Sequence, residues 1–183
     1  SVAHIPGLRG VVVIRDFVGV VAEREEDAEA AMRALRVQWK PWPGLPQVGD
    51  VERALRANPA TPRRLVDEGN VDTASPAQPL ERTYLWPYQL HASIGPSCAL
   101  AQWREGGLTV WAGTQNPHVL RADLARLLNL PDIAVDVARM EAAGCYGRNG
   151  AADVAADAAL LSRAVAAPVR VQLTREQEAA WEP

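Results

Sequence analysis

A mixed α+β fold is predicted by three features of the sequence. Short β-branched runs alternate with segments of helical period. A glycine pair, Gly106-Gly107, separates two strand-like runs and marks a hairpin. The last third of the chain then reads helix, strand, turn, helix, strand, which favours a right-handed crossover onto parallel strands.

The elements follow in order. Val11–Ile14 and Val18–Ala22 are short strands separated by Arg15-Asp16. Glu23–Arg36 has helical period, with Ala28, Ala31, Met32 and Leu35 on one face. Its acidic start and basic end suit the helix dipole. Val37–Trp39 resumes as a strand. From Pro41 to Pro79, seven prolines punctuate a polar stretch with one short helical candidate, Asp50–Ala57, and this reads as a connection without its own core. Ser97–Trp103 and Leu108–Gly113 form the hairpin around Arg104-Glu105-Gly106-Gly107. Asn116 and Pro117 fit the N-cap and first position of a helix carrying Leu120, Leu124, Leu127 and Leu128, which ends before Pro131. Ile133, Val135 and Val137 alternate as a strand. The turn Gly144–Gly150 leads to a helix with Val154, Ala158, Leu161 and Val165 on one face. Pro168 stops that helix, and Val169–Leu173 is the final strand.

Composition narrows the function classes. The chain has 183 residues, 48% of them apolar and 22% charged, an ordinary globular balance with room for one domain or two small ones. A net charge of -3 argues against a nucleic-acid partner. The longest apolar runs fall far short of the roughly 20 residues that span a bilayer. Two cysteines make no disulfide framework, and His4, His91 and His118 share no metal-ligand spacing. Lys40 is the lone lysine beside abundant arginine and alanine, a coding bias without functional weight. The chain opens at Ser1 and closes just after the start of another element, so both ends read as cut from something longer.

Two places invite chemistry. Gly144, Gly147 and Gly150 let backbone approach a ligand closely, and the following helix adds its positive end. Spacing alone favours a plain strand-to-helix connection, because the pattern is neither GxGxxG nor a Walker loop. Gln115 stands at a strand's carboxyl end, where an uncharged amide can donate and accept at once. There too spacing alone favours a turn residue. Cys145 reads as a small buried residue, His91 and His118 as hydrogen-bonded structural residues, and the six tryptophans as core or interface material.

Several ordered strings go further than spacing. Trp86–Ala99, Val110–His118, Gly144–Gly150, Asp157–Leu161, Pro168–Arg170 and Arg175–Glu178 resemble the large subunit of molybdenum hydroxylases, the xanthine dehydrogenase and aldehyde oxidase family. The isoquinoline 1-oxidoreductase and nicotinate dehydrogenase branch is the nearest in pattern. Residues 10–40 resemble the end of the family's hammerhead-like α/β domain. The resemblance implies a tail of that domain over 1–42, a proline-rich connection over 43–80, and the first part of a molybdopterin-binding domain over 81–183.

The family's Gln, which hydrogen-bonds an oxygen ligand of molybdenum, falls on Gln115. Its cofactor loop falls on Ala143–Arg148, so the resemblance assigns Gly144, Cys145, Tyr146 and Gly147 to cofactor binding. A branched side chain at Gly147 is expected to block the cofactor's approach. Gly150 stands where xanthine oxidases carry a Glu that handles purine, which argues against purine hydroxylation. Gly95-Pro96 replaces the family's common Glu-Pro, and Ala152 precedes Asp153 where the branch pairs two Asp. The family's general-base Glu lies far along the large subunit and has no counterpart here, so no catalytic or metal-ligating residue is assigned in this chain.

The implied enzyme hydroxylates an N-heterocycle or an aldehyde, a small organic substrate, with water as oxygen source. It would use molybdenum in molybdopterin, in the cytosine dinucleotide form, and a partner [2Fe–2S] subunit. The isolated chain is expected to bind no cofactor, to be inactive, and to self-associate as a dimer, because faces such as that of Leu120, Leu124, Leu127 and Leu128 would lack neighbours. The alternative class is a non-catalytic binding or interaction module on the same scaffold. Cytoplasmic and periplasmic locations both stay open.

Overall fold

Strand pairing begins at the first β-branched run. The computed structural model describes residues 1–44, 49–70, 73, 78, 80–147 and 153–181. β1 (Leu8–Ile14) and β2 (Phe17–Ala22) form an antiparallel hairpin with Val11 opposite Val20 and Ile14 opposite Phe17. Arg15, in its two-residue turn, has φ +57°. α1 (Glu25–Ala34) follows and buries Ala31. It is shorter than the period suggests because Leu35 is already extended, with ψ 125°. The strand expected at Val37–Trp39 does not form; the β1–β2 sheet stays two-stranded.

The chain divides into two units, one of residues 1–38 and 90–183 and the other of residues 39–89. Within 39–89, α2 (Val51–Ala57) is capped by Asp50, whose side chain accepts from the Arg53 N–H at 3.0 Å. None of that unit's described residues is buried, so it contributes no core of its own.

In the larger unit, β3 (Cys98–Arg104) and β4 (Gly107–Ala112) are the hairpin the glycine pair announced. Glu105 (φ +48°) and Gly106 (φ +81°) are both left-handed, which suits the twist of the flanking strands. α3 (Pro117–Leu128) then returns along the sheet to β5 (Val135–Arg139), which pairs parallel with β4. Asn116 is the residue before the helix, but its side chain caps nothing; its backbone N–H instead donates to Thr114 Oγ1 at 3.1 Å. Asn129 ends the helix in the left-handed conformation. Ile133 lies in a 3₁₀ turn (Asp132–Ala134) and is fully outside the strand it was expected to join.

α4 (Asp153–Val165) leads to β6 (Val169–Gln172), and α5 (Arg175–Trp181) follows. The sheet order is β5-β4-β3-β6, with β6 antiparallel to β3. β5 and β6 therefore run in the same direction but on opposite edges. The crossover expected between neighbouring parallel strands is replaced by a wider one, because the β3–β4 hairpin holds the centre. The neighbouring parallel pair is β4 and β5, joined through α3.

The core lies between one sheet face and α3 and α4. Ala99, Ala101, Val110 and Val135 face Leu120, Leu124, Leu128, Ala155 and Ala158. Leu120, Leu124 and Leu128 thus find their neighbours within the chain, and of that expected face only Leu127 is exposed. The alanines of α4 let it approach the sheet closely. Its other side meets the β1–β2 hairpin through Leu161, Val21 and Val169. None of the six tryptophans is buried; Trp39, Trp42, Trp86 and Trp181 are exposed, and Trp103 and Trp111 are half-buried.

Candidate functional site

Topology brings three segments to one end of the four-stranded sheet. Residues 113–115 leave the carboxyl end of β4, and residues 140–147 leave the same end of its parallel neighbour β5. The segment 91–97 enters β3 there, since β3 runs opposite to β4. α3 and α4 also begin at this end. In open sheets with parallel strands, ligands sit outside the carboxyl ends.

Small residues let the three segments nest. A Cβ on Gly95 would stand 2.9 Å from Ala143 Cβ, and one on Gly113 would stand 2.5 Å from Ala142 Cβ, closer than real side chains come. The ladder extends past β5 as the Met140 N–H donates to the Ala112 carbonyl at 2.9 Å. Gly144 (φ +84°), Tyr146 (φ +50°) and Gly147 (φ +115°) all adopt left-handed conformations. Only glycine reaches φ +115° readily, and Tyr146 is held in αL at a cost typical of functional loops.

The expected site residues meet here. Gln115 Nε2 donates to Cys145 Sγ at 3.0 Å, and the Gly147 N–H approaches the same sulfur at 3.5 Å. Gln115, Gly144, Tyr146 and Gly147 are exposed and Cys145 is half-buried. Cys145 is therefore an acceptor in this cluster and not the buried packing residue its size suggested. The described part of the loop stops at Gly147; Arg148, Asn149, Gly150 and Ala152 lie outside the described residues.

A cavity of about 330 Å³ opens beside the loop, lined by Gly113, Thr114, Ala143, Gly144, Val154 and Arg170 among others. Arg170 pairs with Glu25. Burial works against the Arg170 charge, yet the Glu25 carboxylate and the Cys98 sulfur outweigh it and raise the guanidinium pKa. Among the described residues no three metal-ligating side chains cluster. The polar groups of the loop are a neutral amide, a thiol and backbone N–H groups. Such a set hydrogen-bonds a cofactor's oxygen and nitrogen edges, and its single sulfur has no clustered metal-ligating partners among the described residues. It fits one wall of a large cofactor site.

One residue at this end was read from the sequence only as a hydrogen-bonded structural residue. His91 packs on the loop: a Cβ on Gly147 would stand 2.7 Å from His91 Nε2. A histidine far from the glycines in sequence gave no spacing signal. His4 and His118 are exposed.

The fold and the site define a class: a mixed α+β domain that gathers a neutral hydrogen-bonding loop at the ends of its strands. The family model for the molybdopterin cofactor-binding domain matches residues 57–182, and the chain belongs to that family. It is 63% identical to a nicotinate dehydrogenase subunit of Pseudomonas putida, over all of this chain and 16% of that protein. It is 32% identical to the aldehyde oxidoreductase molybdenum-binding subunit of Escherichia coli K12, over 85% of this chain and 22% of that subunit. The structure superimposes on quinoline 2-oxidoreductase from Pseudomonas putida 86 with a TM-score of 0.68 at 25% identity, covering 88% of this chain and 23% of that one. The chain thus spans under a quarter of the length of each of these relatives.

Proposed function

We propose that this chain is part of the large subunit of a molybdenum hydroxylase, with 1–42 ending a hammerhead-like domain, 43–80 connecting, and 81–183 beginning the molybdopterin-binding domain. The enzyme hydroxylates an N-heterocycle or an aldehyde with water as oxygen source. The observation that carries the reading is the meeting of Gln115 and Cys145 at 3.0 Å, from loops that leave two neighbouring parallel strands. Similarity to nicotinate dehydrogenase and to quinoline 2-oxidoreductase favours the heterocycle.

When bound, molybdopterin would supply the two-electron redox centre through the molybdenum it carries. This chain's residues orient it. Gln115 presents an uncharged amide, and Gly144, Cys145, Tyr146 and Gly147 bring backbone donors close without adding charge. Neither proton transfer nor metal ligation is assigned to any of them. The finer assignments are the cytosine dinucleotide form of the cofactor and a [2Fe–2S] partner subunit that takes the electrons.

The test is metal, pterin and nucleotide analysis of the purified full-length subunit. Stoichiometric molybdenum and pterin, with cytidine monophosphate released by acid, is the expected result. A folded full-length subunit lacking both molybdenum and pterin would leave only the non-catalytic module.

A further inference from the structure

We infer that His91 is a positioning residue that holds the 144–147 loop in its left-handed conformation. Its geometry is independent of the proposed function; its consequence for the cofactor rests on that reading. The imidazole edge occupies the place a side chain at 147 would need, with Nε2 and Cδ2 at 2.7 and 2.8 Å from an ideal Cβ. A side chain at 147 would have to displace this ring, and φ +115° strains any residue but glycine there. The loop needs such a support, because Tyr146 at φ +50° persists only where neighbours fix it.

The segment that carries His91 is itself anchored. Ser93 is buried, and its Oγ bonds the Gly95 carbonyl at 3.2 Å. Arg175 of α5 donates to the Ile94 carbonyl at 2.8 Å. The Ser97 N–H and hydroxyl both donate to the carboxylate of Glu178, each at 2.9 Å, and Glu178 is fully buried. A capping box, with Thr174 and Gln177 bonding each other at 3.0 and 3.1 Å, fixes the start of α5. Rigid support thus runs from α5 through 94–97 to His91, and from His91 to Gly147. Gly95 against Ala143 is a second contact along the same strap.

The experiment uses the full-length subunit, prepared with and without cofactor supply, as wild type, His91→Ala and His91→Gln. Iodoacetamide labelling of Cys145, followed by peptide mass spectrometry, reads the loop directly, with Cys98 as internal reference. In cofactor-free protein, His91→Ala should label Cys145 roughly tenfold faster, as expected for a loop released to local opening, with Cys98 unchanged. His91→Gln keeps a planar polar edge of similar reach and should label as wild type does. In cofactor-supplied protein, His91→Ala should lose most of its molybdenum and His91→Gln should retain it. If His91→Ala does not fold, His91→Leu, similar in volume but without the flat edge, takes its place.

Equal Cys145 labelling in wild type and the substituted protein overturns the positioning role. Faster labelling with full metal loading overturns its consequence for the cofactor. A wild type without molybdenum sinks the proposed function alone, since the labelling difference needs no cofactor.

Discussion

The sheet core and the strand-end loops are built on opposite rules. In the core, volume decides: Val110, Leu124, Leu128 and the alanines of α4 fill one continuous space, and no residue there needs an unusual backbone. At the strand ends single atoms decide. Ala92, Gly144, Tyr146 and Gly147 are left-handed, and Gly95 and Gly113 leave no room for a Cβ. The core therefore tolerates exchange among apolar residues of similar volume. The loops tolerate little, yet being mostly exposed they contribute little to stability. Damage to the first should read as unfolding and damage to the second as lost geometry.

The largest effect tests the core side. Leu124 is 1% exposed between α3 and the sheet. Leu124→Ala should cost about 3–5 kcal/mol in urea denaturation, the range for a buried leucine leaving a cavity. A cost near that of an exposed leucine would show that the core relaxes to fill the gap.

Gln115→Ala tests the loop side. The residue is exposed, so the denaturation midpoint should barely move, while turnover of the full enzyme falls about 10²-fold, the loss of one directed hydrogen bond. Equal losses of stability and turnover would erase the contrast between the two regions. Normal turnover with bound cofactor would reduce Gln115 to a turn residue.

Glu178 sits where the two rules meet. It is a charged residue buried completely to hold Ser97, the entry point of β3. Glu178→Ala removes the acceptor from two donors and should cost about 2–3 kcal/mol, the scale of hydrogen bonds to a charged group. Faster Cys145 labelling in the same variant would connect that loss to the loop. Unchanged stability would mean that water replaces the carboxylate without loss.

What the sequence disclosed follows the same division. Leu120, Leu124 and Leu128 announce a helix face because periodicity repeats the signal, and Gly106-Gly107 announces a hairpin because two glycines between strand-like runs suit a tight turn. Only the family resemblance placed Gln115 and Cys145 in one site; without it Gln115 reads as a turn residue and Cys145 as a small buried one. His91 and Glu178 lie within the resembling strings Trp86–Ala99 and Arg175–Glu178, but nothing there sets either apart as a support for the loop. A lone histidine has no period, and a glutamate beside Arg175 and Glu176 in a short helix reads as part of a solvated face. Sheet order was also hidden, since alternation fixes which face a strand buries and not which strand lies beside it.

The smallest expected effect lies far from either region's critical contacts, at the start of α1. Glu26 is in the first turn, and its pKa is lowered from the ordinary 4.5, chiefly by a hydrogen bond from the backbone and then by Arg24, with burial a lesser opposing influence. Arg24 Nε donates to its carboxylate at 2.5 Å. The folded state thus favours ionised Glu26 more than the unfolded state does. Its contribution is present above the ordinary carboxylate value and disappears as pH falls through the lower folded value. Both partners are exposed, so solvent and salt screen the pair. Glu26→Gln should lower the urea midpoint slightly at about pH 6 and converge with wild type once pH falls below the lowered folded value, since protonation removes the same charge. About 1 M salt should shrink the difference at about pH 6. Curves that stay parallel through the acid range would show that the side chain acts through packing and not through its charge.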